Sequence, residues 1–230
     1  MKENKPKKKK SITIKPNKKG KHISHTLNFL RILVIPIYFL LFPFRYYGKR
    51  KAPKGACIFV SNHYQAFDPI YTASMTWECI HYISKRGVFT IPVIGPLMRK
   101  AKSISVNRDG NDVRGLLDCF KCLKNGEKLG IFPEGTRNKT QEEMLPFRHG
   151  AAVMAIKCKA PIIPVVIYKR PRLFRCTHIL VGEAFELTEY YDRKNSEEDL
   201  FAADEYIRQK MLSMKAEHTK YLTEKRKKKA

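Results

Sequence analysis

The sequence is short of negative charge. It has 21 Asp and Glu against 46 Lys and Arg, a formal net charge of +25. Such a chain is drawn to anionic partners: a lipid surface, an acidic carrier protein or a nucleic acid. No nucleic-acid recognition motif accompanies the charge, so nucleic acid is the least expected of the three. The chain also lacks an uninterrupted apolar run of the roughly 20 residues that a spanning helix needs. Its most apolar stretch, Leu27 to Phe44, is 18 residues long, contains Asn28 and Arg31, and is broken by Pro36 and Pro43. Basic residues flank both ends of it, which gives no inside–outside bias. A secretory signal is not expected, because the apolar stretch begins late, behind a Lys-rich tail, without a small-residue cleavage site. Cys119-x-x-Cys122 has no matching second pair, so zinc is not expected either. The six cysteines lie mostly in apolar segments and read as free thiols in a reducing cytosol.

What is present divides the 230 residues into four regions. Residues 1–22 hold ten Lys and one Glu and read as a disordered tail. Residues 23–55 read as a membrane-associated helical segment and a basic linker. Its stretch 27–44 is expected as a kinked helix or helical hairpin dipping into one leaflet, with a single span and a buried core helix as alternatives. Residues 56–195 read as one α/β domain with enough chain for a real core. Residues 196–230 read as a charged amphipathic helix and basic tail, packed on the domain or lying on a membrane.

Within the domain, strands are expected at 56–61, 81–84, 103–107, 128–132, 161–168 and 177–181. Helices are expected at 69–79, 112–125 and 150–159. Lys85 to Arg99 reads as loop, and Pro164 marks its strand as an edge or a bulge. This alternation predicts an α/β fold with a mixed, mostly parallel sheet flanked by helices.

The most informative stretch is Ser61-Asn62-His63-Tyr64-Gln65-Ala66-Phe67-Asp68-Pro69. His63 follows the apolar run Cys57–Val60, so it stands at the C-terminal edge of a strand, where α/β proteins commonly place their chemistry. A continuous helix would set His63 and Asp68 about 140° apart; a strand–loop–helix junction lets them meet. A His oriented by a carboxylate is a general base for a hydroxyl, and no serine is needed if the substrate supplies that hydroxyl. The competing reading makes Asp68 an N-cap ahead of Pro69.

A second stretch, Phe132-Pro133-Glu134-Gly135-Thr136-Arg137, follows the apolar Leu129-Gly130-Ile131. Together Asn-His-x4-Asp and Phe-Pro-Glu-Gly-Thr-Arg resemble the glycerolipid acyltransferases, most closely the 1-acylglycerol-3-phosphate acyltransferases. Ile91-Pro92-Val93-Ile94-Gly95-Pro96 leading to Ile104–Arg108, and Ile162-Ile163-Pro164-Val165, extend the resemblance over roughly residues 25 to 185. It implies acyl transfer from acyl-coenzyme A or acyl carrier protein to the sn-2 hydroxyl of lysophosphatidic acid, giving phosphatidic acid, without a cofactor or metal. His63 and Asp68 would be catalytic. Glu134, Gly135, Thr136 and Arg137 would bind the acceptor, with Arg108 as a second phosphate contact. Glu134 would hold Arg137 or a glycerol hydroxyl; its bland alternative is a local ion pair with Arg137. The enzyme would be monotopic on anionic membranes, its site facing the cytoplasm. The alternatives are another lysophospholipid or glycerol-3-phosphate as acceptor, or a non-catalytic basic lipid- or nucleic-acid-binding protein.

Overall fold

The computed structural model describes residues 25–49, 52–107, 112–148 and 150–227. The tail 1–22 and Arg108 lie outside the described residues. Seven strands form one sheet: β1 (Phe44–Gly48), β2 (Cys57–Ser61), β3 (Ile80–Lys85), β4 (Ile104–Val106), β5 (Lys128–Ile131), β6 (Ile162–Ile167) and β7 (Thr177–Val181). Their order is β1-β7-β6-β2-β5-β3-β4. Every neighbouring pair is parallel except β6 with β7. The expected mixed, mostly parallel α/β sheet is what forms.

Helices cover both faces. These are α1 (His25–Leu41), α2 (Pro69–Ala73), α3 (Ile94–Lys100), α4 (Val113–Lys124), α5 (Gly150–Cys158) and α6 (Glu197–Lys227). Successive strand residues point to opposite faces, and parallel strands covered on both sides are apolar throughout. Cys57 and Phe59 of β2 pack with Tyr38 of α1 and Tyr71 of α2. Ile58 and Val60 face the other way, onto Leu123 of α4, Ala155 of α5 and Ile207 of α6. The last helix therefore packs on the domain, through Ala203, Ile207 and Met211, all buried.

Four expectations are corrected. First, Phe44–Gly48, expected as the end of the apolar segment and the start of the linker, is an edge strand paired with β7; the sheet thus begins before residue 56. Its three aromatic residues between Pro43 and Gly48 favour extended backbone. Second, β6 is central despite Pro164. The Pro164 carbonyl accepts from the Gly182 N–H at 2.9 Å, so its ring nitrogen faces the same side, just past the end of β7. The missing N–H falls where the ladder stops. Third, Lys85 to Arg99 contains α3. Pro96 is its third residue, within the first turn, where no N–H partner is required. Fourth, the α2 helix stops at Ala73 instead of reaching 79.

The apolar segment 27–44 is one helix followed by β1, not a hairpin. Arg31 ties it to the body by donating to the carbonyls of Thr76 at 2.8 Å and Glu78 at 3.1 Å. The Tyr38 hydroxyl meets that of Tyr71 at 3.0 Å. Phe29, Ile32, Leu33, Ile37 and Leu40 remain exposed on its outer side. No described helix is long and apolar enough to cross a membrane. All six cysteines are free, and Cys176 alone is exposed.

Candidate active site

The dyad forms at the C-terminal end of β2. The buried side chain of Asn62 both donates to the Ile167 carbonyl (2.9 Å) and accepts from the Ile167 N–H (2.8 Å). Its amide thus imitates one more backbone peptide between β2 and β6, and it fixes where the chain leaves the sheet. His63 follows. Its Nδ1 lies 2.9 Å from Asp68 Oδ2. A carboxylate oxygen can only accept, so Nδ1–H donates; in the neutral imidazole the lone pair is then on Nε2.

Asp68 Oδ2 also accepts from the N–H groups of Tyr64 (2.6 Å) and Gln65 (2.7 Å). The carboxylate is fully buried, while the imidazole keeps 18% of its surface exposed. Asp68 makes no side-chain cap bond to α2. The side chain turns back to the loop, and Asp68 serves the helix start only through its carbonyl, which accepts from the Tyr71 N–H at 3.0 Å, with Pro69 following. Asp68 Oδ1 is buried without a hydrogen-bond partner among the described residues. The imidazole face is covered by Phe132, with ring centroids 4.2 Å apart and 27° between planes.

Phe132 opens the second block, at the end of β5, which neighbours β2. Two clamps join this block to His63. The His63 N–H donates to Glu134 Oε1 at 2.9 Å, and the His63 carbonyl accepts from the Asn138 N–H at 2.7 Å. Glu134 Oε2 accepts from the Leu145 N–H at 3.3 Å. Glu134 is buried, and no ion pair joins it to Arg137 among the described residues. The local ion pair with Arg137 does not form; Glu134 instead holds the backbone of His63 through its N–H. The sequence reading also missed the clamps made by Asn62 and Asn138. The polar residue directly before the His is the only signal of the first; the second uses the Asn138 backbone N–H, which any residue but proline supplies.

Gly135 has φ +67°, a backbone region that favours glycine. Its N–H donates to the Phe132 carbonyl at 3.0 Å and closes the turn. Thr136 and Arg137 are exposed at the rim. Arg108 lies outside the described residues.

Burial raises the Glu134 carboxyl to about 7, against the pull of its two N–H donors. Asp204, whose Oδ1 accepts from the Ala152 N–H, is raised to about 7 by the same cause. A carboxyl held above its unfolded value keeps its proton in the fold after the unfolded chain has lost it. Its contribution to stability therefore falls as pH rises from about 4.5 to about 7. Glu134 accounts for a loss on the order of 3 kcal/mol across that window. Urea unfolding at pH 5 and pH 7.5 should show wild type losing more stability on going to pH 7.5 than Glu134→Gln does. Equal losses would contradict the burial account.

One His/Cys/Glu group among the described residues has metal-ligand spacing: His81, Cys122 and Glu127, with ligand atoms within 4.8 Å of one another. It sits at the N-terminal ends of β3 and β5, the opposite edge of the sheet from His63. The Lys102 carbonyl accepts from His81 Nδ1 at 2.9 Å, and Glu127 lies 3.5 Å from Nε2. Nothing in this group reaches the candidate active site.

The family model "Acyltransferase" matches residues 43–168, a range that holds both blocks. The 1-acyl-sn-glycerol-3-phosphate acyltransferase BAT2 of Brassica napus chloroplasts is 39% identical over 115 residues, covering 48% of this chain and 32% of that protein. The Bacillus subtilis protein of the same activity name is 31% identical over 138 residues, covering 57% of this chain and 67% of its own. That of Helicobacter pylori is 33% identical over 124 residues and half covered. The chain thus spans from a third to two thirds of the length of these relatives. The crystal structure of the 1-acyl-sn-glycerophosphate acyltransferase PlsC from Thermotoga maritima superposes with a TM-score of 0.60 over 84% of each chain at 22% identity, which is a likeness of fold. The chain belongs to the Acyltransferase family.

Proposed function

We propose that the protein transfers an acyl chain from a thioester to the sn-2 hydroxyl of lysophosphatidic acid, releasing a thiol and phosphatidic acid. The observation that carries this reading is the His63–Asp68 dyad, locked by backbone clamps to the Phe132–Arg137 block. His63 Nε2 takes the hydroxyl proton as that oxygen attacks the thioester carbonyl. The C–O bond forms, the C–S bond breaks, and the departing sulfur leaves as a thiol with the proton that His63 returns. Asp68 holds the ring through Nδ1 and stabilises the imidazolium between the two transfers. A thioester is already activated, so the residues present can do this without a metal. Acyl-coenzyme A and acyl carrier protein are both acidic donors suited to a basic chain.

Arg137, exposed at the end of the second block, is the proposed ligand of the acceptor phosphate, with Thr136 beside it and Arg108 as a second contact. A hydrogen bond to a charged group contributes about 1.5–3 kcal/mol, which is about ten- to a hundredfold in affinity. Arg137→Ala should therefore raise KM for lysophosphatidic acid by that factor and leave KM for a monoacylglycerol unchanged. Equal effects on both acceptors would remove the phosphate from the reading, and faster turnover of glycerol-3-phosphate or lysophosphatidylethanolamine would move the acceptor.

The site is proposed to work at a membrane surface facing the cytoplasm, with α1 lying in the interface and basic residues on anionic headgroups. A 17-residue helix is about 26 Å long, short of the ~30 Å hydrocarbon core. Because Tyr38 and Arg31 bind α1 to the domain, its deletion would disturb the fold; point changes on the exposed side avoid this. Ile37→Ser with Leu40→Ser should lower partition onto anionic vesicles at least tenfold, more than 0.5 M salt does, since each buried side chain contributes about 1.5–3 kcal/mol. Complete release by salt alone would make charge the anchor and overturn insertion.

A further inference from the structure

The β6–β7 connection ends in an exposed tip. Its sequence is Arg170-Pro171-Arg172-Leu173-Phe174-Arg175. Arg172 and Arg175 pair as an isolated antiparallel bridge, and the Arg175 N–H donates to the Arg172 carbonyl at 3.1 Å. Leu173 and Phe174 form the tip, 53% and 66% exposed. Phe174 holds φ +56°, a backbone region that a bulky side chain rarely adopts. The turn thus maintains an unfavourable conformation that presents two large apolar groups to solvent, between arginines.

Its attachments say where it belongs. The Phe174 N–H donates to the carbonyl of Leu41, the last residue of α1, and the Thr177 N–H donates to the Pro43 carbonyl, both at 2.7 Å. The tip is therefore continuous with the end of α1, where Leu40 is 72% exposed. On its other side the turn grips both candidate active-site loops. Gln65, inside the His63–Asp68 loop, donates to the Pro171 carbonyl at 3.2 Å, and Arg170 donates to the Asn138 carbonyl at 2.6 Å. Phe67, in the first of those loops, is also exposed, its ring 6.1 Å from that of Tyr38.

We propose that this turn is a second lipid-contacting element, with Leu173 and Phe174 entering the headgroup–acyl boundary of an anionic bilayer and Arg172 and Arg175 at the level of the phosphates. An apolar tip framed by arginines is complementary to that boundary in both polarity and charge. With α1 as the other contact, it sets the candidate active-site loops down at the surface that holds an amphipathic acceptor. This inference rests on the membrane reading of α1 and adds a separate contact to it.

The test uses the full chain and vesicles of phosphatidylcholine with 30% phosphatidylglycerol. Leu173→Ser with Phe174→Asn is suited to the turn, since asparagine tolerates positive φ. This variant should partition onto vesicles about tenfold more weakly and lose vesicle-borne lysophosphatidic acid turnover by a similar factor. Its turnover of a short-chain, water-soluble acceptor should stay within twofold of wild type. As a second readout, Phe174→Trp in a Trp77→Phe background, which leaves one indole, should be quenched by lipids brominated near the headgroup. Wild type that ignores vesicles would overturn the membrane reading itself. Wild type that binds, beside an unquenched indole and an unaltered turn variant, would overturn this inference alone. A loss equally large with the soluble acceptor would assign the turn to holding the site loops. A loss seen only with acyl carrier protein as donor would assign it to carrier docking. Either result overturns lipid contact.

Discussion

His63→Ala should lower kcat/KM for acyl transfer by about 10²–10⁴, the range that a positioned general base contributes, and leave the protein folded. The second half of this expectation comes from the division of labour at His63. Its backbone is structural: the N–H is held by Glu134 and the carbonyl by Asn138. Its side chain is partly exposed and makes a ring contact with Phe132 and one bond to Asp68. Removing the ring leaves both backbone clamps in place. The lost stacking corresponds to about 0.5–1.5 kcal/mol. Thermal unfolding should shift by a few degrees while turnover collapses. A variant with most of its activity would remove His63 from the chemistry.

Asp68→Asn should cost nearly as much activity as His63→Ala, by a different route. The amide oxygen can still accept from His63 Nδ1, Tyr64 N–H and Gln65 N–H, so the loop keeps its shape. What is lost is the negative charge that stabilises the imidazolium while the proton resides on His63. Turnover should fall by at least a hundredfold, with far-ultraviolet dichroism unchanged. Asp68→Ala should in addition destabilise the fold, because it abandons two N–H groups held at 2.6 and 2.7 Å, each an unsatisfied group costing about 1–3 kcal/mol when buried. The comparison separates charge from structure. If the Asn variant turns over normally and the Ala variant unfolds, Asp68 is a loop brace and no part of the catalytic unit.

The sheet was largely legible because its strands obey simple rules. Cys57–Val60, Leu129–Ile131 and Ile162–Ile167 are apolar on consecutive positions, as strands buried on both faces must be. Helix α4 shows apolar residues at helical spacing and an Asp112 cap, whose side chain accepts from the Gly115 N–H. Where the structure departs from these rules, tertiary context outranks local propensity. Phe44–Gly48 looked like linker because basic residues follow it, yet its partner β7 lies more than 130 positions away. Pro164 looked disqualifying for a central strand because the end of β7 opposite it is invisible in a local window. Gly95 and Pro96 looked like loop residues. Gly95 instead lets α3 approach Phe89 so closely that a Cβ would meet its carbonyl oxygen at 2.1 Å.

At the candidate site, the meeting of His63 and Asp68 was legible and the groups that hold it were not. His63 and Asp68 carry side chains whose proximity a five-residue spacing permits at a strand–loop–helix junction. Asn62, Asn138 and Glu134 act on backbone atoms of distant segments, and no spacing within the sequence encodes which carbonyl or N–H they meet. The same holds for the Arg170–Arg175 turn. Its composition is unremarkable until Leu41 and Gln65 are placed on either side of it.

The central claim is that this dyad makes phosphatidic acid. The most direct measurement supplies purified protein on anionic vesicles with lysophosphatidic acid and an acyl thioester, and follows the acylated lipid and the free thiol by mass spectrometry. The account predicts phosphatidic acid and thiol in equal amounts, with both falling to background in the folded His63→Ala protein. Folded, vesicle-bound wild type that forms no phosphatidic acid with either class of thioester donor would contradict it.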